Sequence, residues 1–458
     1  MSTNIQKNKI TEGIIWRPLL LSFFTIFLGT FFQQLYNTID SVIVGQFVGK
    51  EALAAVGGSS AQIVAFVVGF FTGLSSGASV TIAQFFGAKD SRSANKGLHT
   101  AYAIAAFGGL ILTVSGIILT PFLLEMMNTP ADIVADSAVY LRIYFAGIIF
   151  VLIYNMGSAI LRATGDSKRP LYYLIVCCII NIVLDVLFVI VFHMGVMGVA
   201  VATLIAQAVS AVLVTLKLMR SEGILKLSVK QIRFHGSILK MQLKLGLPTG
   251  FEAILFSITN IAIQSAVNTF GTDTTAAWSA YGKLDAIFWM VSTAFGIAIT
   301  TFVGQNYGAG KMDRVRKSTR VCLLMDFIVS AVLVVFLIAA RFLLFRLFTN
   351  DSHVIEIGCD MLVLITPWYI VYVFIEVIAG ALRGVGNVVV PVAITLLGVC
   401  VLRIAWLAAM LKISPTISAI ILSYPVTWVI TALAFIIYYI YITHKTIAGS
   451  SKKHVPKL

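Results

Sequence analysis

The chain is built from long apolar runs broken by short polar segments, and those runs set the first expectations. A helix needs about 20 apolar residues to cross ~30 Å of hydrocarbon. By that measure there are twelve runs: 18–45, 53–79, 98–122, 134–160, 170–192, 195–216, 246–270, 275–303, 321–346, 354–381, 388–411 and 415–442. Each is expected to be a helix, because an open strand in lipid would leave backbone groups without partners. The expectation is an all-α polytopic membrane protein with twelve transmembrane helices.

Composition removes the alternatives. Hydrophobic residues make up 59% and charged residues 11% of 458, against about 45–50% and about 25% in soluble chains. That excludes a disordered chain, a disulfide scaffold and a soluble enzyme together. The five cysteines (Cys177, Cys178, Cys322, Cys359, Cys400) fall in apolar stretches without metal-ligand spacing, and read as reduced packing residues. Residues 1–16 are polar and mixed, and the apolar run after Arg17 is too long for a signal h-region, so no cleavable signal is expected. There is no Walker A loop, no HExxH and no CxxC, so neither a cofactor nor enzymatic hydrolysis is expected.

The net charge of +14 changes meaning once it is placed. Of 33 Lys and Arg, 26 lie on the side that holds the N-terminus, from Lys7, Lys9 and Arg17 through the 217–245 loop to Lys445, Lys452, Lys453 and Lys457. The positive-inside rule then puts both termini in the cytoplasm of a multi-pass cell-membrane protein. The charge signals topology and attraction to anionic lipid head groups; nucleic acid is not needed to explain it.

The two halves repeat. A shift of 221 residues lays Gln84-Phe85-Phe86-Gly87-Ala88 on Gln305-Asn306-Tyr307-Gly308-Ala309, Leu161-Arg162 on Leu382-Arg383, Gly165 on Gly386 and Pro170 on Pro391. Adding one residue to the shift brings Gly49 onto Gly271. The expected organisation is an N-terminal six-helix bundle (1–216), a basic cytoplasmic linker (217–245), a C-terminal six-helix bundle (246–442) and a basic tail (443–458). Two parallel repeats facing a central cavity are a transporter architecture.

Ionisable residues at membrane depth are expensive, at least ~2.5–3.5 kcal/mol on insertion scales, and so demand a reason. Asp40 in span 1, Asp185 in span 5 and Thr203 in span 6 sit at matching depths, ~8–12 Å from the outer ends of their helices. Asn181 lies one turn from Asp185 on the same face. Gln33, Tyr36, Asn37 and Asp40 form a stripe at i, i+3, i+4, i+7, with Asn155 of span 4 as a further support. Two neighbouring carboxylates in low dielectric cannot both stay ionised cheaply, so the group is a candidate to hold a proton or to ligate Na⁺ through oxygens. Simple packing hydrogen bonds are the alternative.

The second half departs from this. Asn181, Asp185 and Thr203 fall on Leu402, Trp406 and Tyr424. Lys283 and Arg403 sit near Asp285, as a structural charge pair or an internal cation. Glu252 in span 7 and Glu376 in span 10 lie ~8–9 Å from the cytoplasmic face, where they either attract a cationic substrate or pair with polar neighbours.

These residues carry a resemblance to the multidrug and toxic compound extrusion (MATE) family, prokaryotic branch. The motifs are Asp40-Ser-Val-Ile-Val-Gly45 with Glu51-Ala-Leu-Ala-Ala-Val-Gly57, Gln84-Phe-Phe-Gly-Ala88 with Gly304-Gln-Asn-Tyr-Gly-Ala-Gly310, Leu161-Arg-Ala-Thr-Gly-Asp166 with Leu382-Arg-Gly-Val-Gly386, and Asn181-Ile-Val-Leu-Asp185. The resemblance implies export of amphipathic, often cationic compounds in exchange for H⁺ or Na⁺ by a monomer, with Asp40, Asn181, Asp185 and Thr203 as the cation site. It places Glu252 and Glu376 where another branch carries coupling acids. Some members bend span 1 at a mid-helix proline; here the only proline in that span is Pro18, at its entrance. The rival reading is a flippase for lipid-linked glycans, which would want a cavity rich in Arg and Lys.

Overall fold

A computed structural model of the chain describes residues 10–450, with side chains through residue 444. Lys7, Lys9, Lys452, Lys453 and Lys457, and with them most of the basic tail, lie outside the described residues. Twelve helices are long and apolar enough to cross a membrane: α1 Trp16–Phe47, α2 Lys50–Gly87, α3 Ser91–Met126, α4 Val134–Ala163, α5 Lys168–Val191, α6 Gly195–Met219, α7 Gly236–Asn268, α8 Thr272–Gly308, α9 Met312–Arg346, α10 Ser352–Gly384, α11 Val389–Ile413 and α12 Ile417–His444. They correspond one to one with the twelve apolar runs. Several run further than the hydropathy pattern reached, α2 to Gly87 and α8 over 37 residues, because a hydrophobic ruler sees only the lipid-facing stretch. All five cysteines are buried and free.

The repeat is written into the backbone. Left-handed residues recur at Gly49 and Gly271, at Lys89 and Gly310, and at Gly165 and Gly386, the offsets read in the sequence. Two of the turns close identically. Asp166 N–H bonds the Leu161 carbonyl and Gly165 N–H that of Arg162; Asn387 bonds Leu382 and Gly386 bonds Arg383 in the same way. These are helix ends closed by a left-handed residue, where a glycine carries no Cβ penalty.

By packing, the described chain forms two compact units: residues 24–250, and the chain up to Phe23 together with that from Phe251 onward. The boundaries fall inside α1 and α7. In the second unit, Arg314 donates to the carbonyls of Ile10, Glu12 and Gly13, Lys311 to that of Thr11, and the rings of Phe23 and Phe295 stack at 4.0 Å. Bonds from side chains to early backbone thus tie the start of the chain to α8 and α9. In the first unit, α2 and α7 approach at glycines. A Cβ on Gly77 would stand 2.3 Å from the Gln242 carbonyl oxygen, and one on Gly73 would stand 2.5 Å from the Gly250 nitrogen. The small-residue run of span 2 is therefore a helix-packing surface.

Candidate functional site: a carboxylate pair inside the first unit

Three helices of the 24–250 unit bring the expected residues together. Asp40 (α1) is 7% exposed, Asn181 and Asp185 (α5) 1% and 0%, and Thr203 (α6) 7%. Asp40 lies within side-chain hydrogen-bonding range of both Asp185 and Thr203, and Asn181 Nδ2 donates to Thr203 Oγ1 at 3.4 Å. Asp185 is six residues from the end of α5 and Asp40 seven from the end of α1, ~9–10 Å inward at 1.5 Å per residue. Directly after Asp185 the helix widens into a π-turn over Val186–Val191.

The chemistry follows from acceptors outnumbering donors. Both carboxylate oxygens of Asp185, Oδ1 of Asp40 and Oδ1 of Asn181 are buried and receive no donor. An ionised carboxylate only accepts, so two of them side by side repel, and each buried ion without a partner costs roughly several kcal/mol. One proton shared between the pair turns an acceptor into a donor. A small cation would satisfy several oxygens at once. The residues present therefore fit either a proton or an oxygen-ligated ion. Among the described residues no group of three or more His, Cys, Asp or Glu forms a metal cluster; amide and hydroxyl oxygens would have to complete any shell here.

The supporting stripe divides. Tyr36 turns inward with Asp40, one turn away, and its hydroxyl accepts from Gln207 Nε2 at 3.2 Å. Asn37 and Gln33 are exposed, so Asn37 does not belong to the cluster: this helix turns the Tyr36–Asp40 edge of the stripe inward and leaves the Gln33–Asn37 edge outside. Asn155 is half-buried, and no hydrogen bond among the described residues joins it to the four. The sequence reading missed Gln207, Tyr140 and Tyr144. The two tyrosines stack at 6.2 Å on α4, and Tyr140 lies in electrostatic range of both acids. Nothing in their own segment marks them; they are found only once α4 is laid beside α1 and α5.

The acids of the second unit behave differently. Glu376 Oε1 takes a 2.8 Å ion pair from Arg383 Nη2 and lies over Gly296, where a Cβ would come within 2.1 Å of it. Arg383, which the repeat lays on Arg162, is thus an internal partner of Glu376. Glu252 is half-buried and in electrostatic range of both. The expected pairing around Asp285 is corrected. Its carboxylate is held by Tyr281, Tyr369 and, at 2.7 Å, Trp289 Nε1. Lys283 is exposed, being two residues away and so on another face of the helix. Arg403 is 1% exposed, donates to Thr427 at 3.0 Å and lies 4.0 Å over the Tyr424 ring, which makes it an internal cation without a carboxylate contact. One acid escaped the sequence reading altogether. Asp326 on α9 is 0% exposed, accepts from Ser330 Oγ at 3.1 Å and keeps Oδ2 without a donor. The rule that flagged Asp40 would have flagged it.

Comparison with known proteins agrees with this architecture. The MatE family model matches residues 25–187 and again 248–407. The chain is 29% identical to a probable multidrug resistance protein, YoeA, of Bacillus subtilis (strain 168), covering 85% of this chain and 86% of that one. It is 28% identical to a probable multidrug resistance protein, NorM, of Thermotoga maritima, covering 83% and 82%. Among solved structures, an outward-facing multidrug resistance MATE family transporter of the MOP superfamily superposes with a TM-score of 0.89 at 20% identity, over 99% of this chain and all of that one. A MOP superfamily transporter from Pyrococcus furiosus superposes with a TM-score of 0.90, also at 20% identity and over 99% of this chain and all of that one.

Proposed function

Because the chain belongs to the MatE family, we propose that it couples multidrug efflux to the inward movement of H⁺ or Na⁺ through the carboxylate pair of the 24–250 unit. It is a multi-pass membrane transporter of that family and not an enzyme. The finer reading is an antiporter that works as a monomer with both termini in the cytoplasm. It exports amphipathic, often cationic organic compounds.

The observation that carries the reading is the set of four donor-less acceptor oxygens on Asp40, Asp185 and Asn181. A cation entering this group offsets one of the two negative charges and so relieves the repulsion between α1 and α5. Coupling then requires that the cation bind one global state better than the other, since equal affinity shifts no equilibrium. The membrane potential adds ~2.3 kcal/mol per 100 mV for each positive charge carried inward. Glu252 and Glu376 supply negative charge in the other unit, with Glu376 partly offset by Arg383, and are proposed to draw cationic substrates.

The reading is tested on purified protein in detergent by following proton release, or displacement of radioactive Na⁺, when ethidium is added. Wild type is expected to release one of the two ions, and Asp40→Asn and Asp185→Asn neither. Equal release from wild type and both variants would place the coupling site elsewhere.

A further inference from the structure

The loop that joins α6 to α7 does not trail in solvent. Asn95 on α3 donates to the carbonyls of Ile224 and Lys226, both at 3.2 Å. His99, 2% exposed, bonds the Asn95 carbonyl through Nδ1 at 2.8 Å, and its Nε2 accepts the Ser228 N–H at 3.1 Å. Thr100 meets His235 Nδ1 at 3.1 Å, and His235 Nε2 accepts from Arg233 Nε at 3.3 Å. Asn95, His99 and Thr100 from α3 and His235 from the linker, four side chains, thus hold the linker against the first three turns of α3.

That docking gathers charge of one sign. Arg92 and Lys96 from α3 meet Lys230 and Arg233 from a segment more than 130 residues later, around a cavity of about 330 Å³ that Asn95, His99, Gln231 and His235 complete. No acidic side chain lines it. None of the four basic groups has an ion-pair partner among the described residues. Both histidines are spent as struts, each with one ring nitrogen accepting a hydrogen bond. Burial, then the neighbouring Arg233 and Lys96, hold His235 below the ordinary imidazole value. A solvated basic loop would spread its charges apart. Here hydrogen bonds force four permanent cations together, which leaves an anion as the missing counter-charge.

We propose that this cavity binds a phosphate group. Two guanidinium forks and two ammonium groups suit its oxygens in number and geometry. The site lies at the polar end of α3, on the side that the basic residues mark as cytoplasmic, so either an anionic phospholipid or a soluble phosphate would meet the same chemistry.

Native mass spectrometry of the full chain in detergent separates the two sources, with phosphatidylglycerol against phosphatidylcholine in one arm and calorimetry with inorganic phosphate in the other. The variants are Lys230→Gln/Arg233→Gln on the linker and Lys96→Gln on α3. Lys240→Gln/Lys244→Gln removes the same charge from exposed positions outside the cavity. The expected result is retention of phosphatidylglycerol, of phosphate, or of both, weakened roughly tenfold or more by the linker pair, and also weakened by Lys96→Gln, but changed less than about twofold by the control. Lipid alone identifies a head-group site, and phosphate alone identifies a soluble ligand. Binding of neither, or equal loss in the Lys240/Lys244 control, would overturn the proposal.

Discussion

At the scale of single residues, the account turns on what an amide can and cannot replace. Asparagine fills the volume of aspartate but can neither take up a proton nor bring a charge to a cation. Asp185→Asn and Asp40→Asn are therefore expected to leave the folded protein intact, as read by its melting temperature in detergent, and to lower cation-driven transport by roughly tenfold or more, about 1.4 kcal/mol. Glu376 predicts the opposite pattern. Its ion pair with Arg383 is 15–20% exposed, so Glu376→Gln strands a mostly buried guanidinium and should cost roughly 1–3 kcal/mol of stability. Adding Arg383→Met should recover most of that loss, which a double-variant melting cycle would measure. Asp40, Asn181, Asp185 and Thr203 were legible because ionisable residues stand out in apolar helices and their depths can be counted. Asn37 was misplaced because spacing along one helix does not say which edge of a polar stripe turns inward. Gln207, Tyr140 and Tyr369 were invisible because those contacts join segments that no local pattern relates, whereas Tyr281 and Trp289 stand four residues either side of Asp285, where the i,i+4 spacing could have found them.

Elements were easier to read than contacts, and their ends were the weakest part. Hydropathy found all twelve helices, yet stopped α2 about two turns early, since its last residues leave the hydrocarbon. What ends and starts these helices is local chemistry. The Asp90 side chain accepts the Ser93 N–H at 3.0 Å to cap α3, and hydrogen bonding from the Ser93 hydroxyl, then from this N–H, holds its carboxyl below the usual value. A depressed folded-state pKa means that the cap's contribution is full above the unfolded value of ~3.9 and is lost as pH falls through the folded one. Asp90→Ala should cost about 0.5–1 kcal/mol at neutral pH, with the difference from wild type shrinking in acid, as parallel melts would show. The α2–α7 contact is stricter. Gly77→Ala places a methyl where the Gln242 carbonyl already sits, so a loss of roughly 1–3 kcal/mol is expected from overpacking. Gly57→Ala, with nothing within 4 Å, serves as the neutral comparison.

At the scale of the whole molecule, the 221-residue repeat was the most informative feature of the sequence, and the paired left-handed turns repeat it in three dimensions. How the chain is shared between its compact units was less legible. The packing boundaries cut through α1 and α7, because the attachments that decide it, Arg314 to Ile10, Glu12 and Gly13 and Gln242 to Gly97, are long-range bonds to backbone carbonyls. The repeat also exposes the asymmetry on which function is argued. One unit carries two neighbouring carboxylates with three donor-less oxygens between them, and the other carries Arg403, the fully supplied Asp285 and a single buried acid, Asp326, with one donor-less oxygen. That difference is why cation exchange is proposed for the 24–250 unit. The most direct measurement is ethidium transport in inverted vesicles, driven separately by a pH gradient and by a Na⁺ gradient, comparing wild type with Asp40→Asn, Asp185→Asn and Glu376→Gln. The account predicts transport under one of the gradients, lost in both aspartate variants; Glu376→Gln should weaken the apparent affinity for ethidium while transport stays driven by that same gradient. Wild-type rates in the aspartate variants, with loss confined to Glu376→Gln, would contradict it.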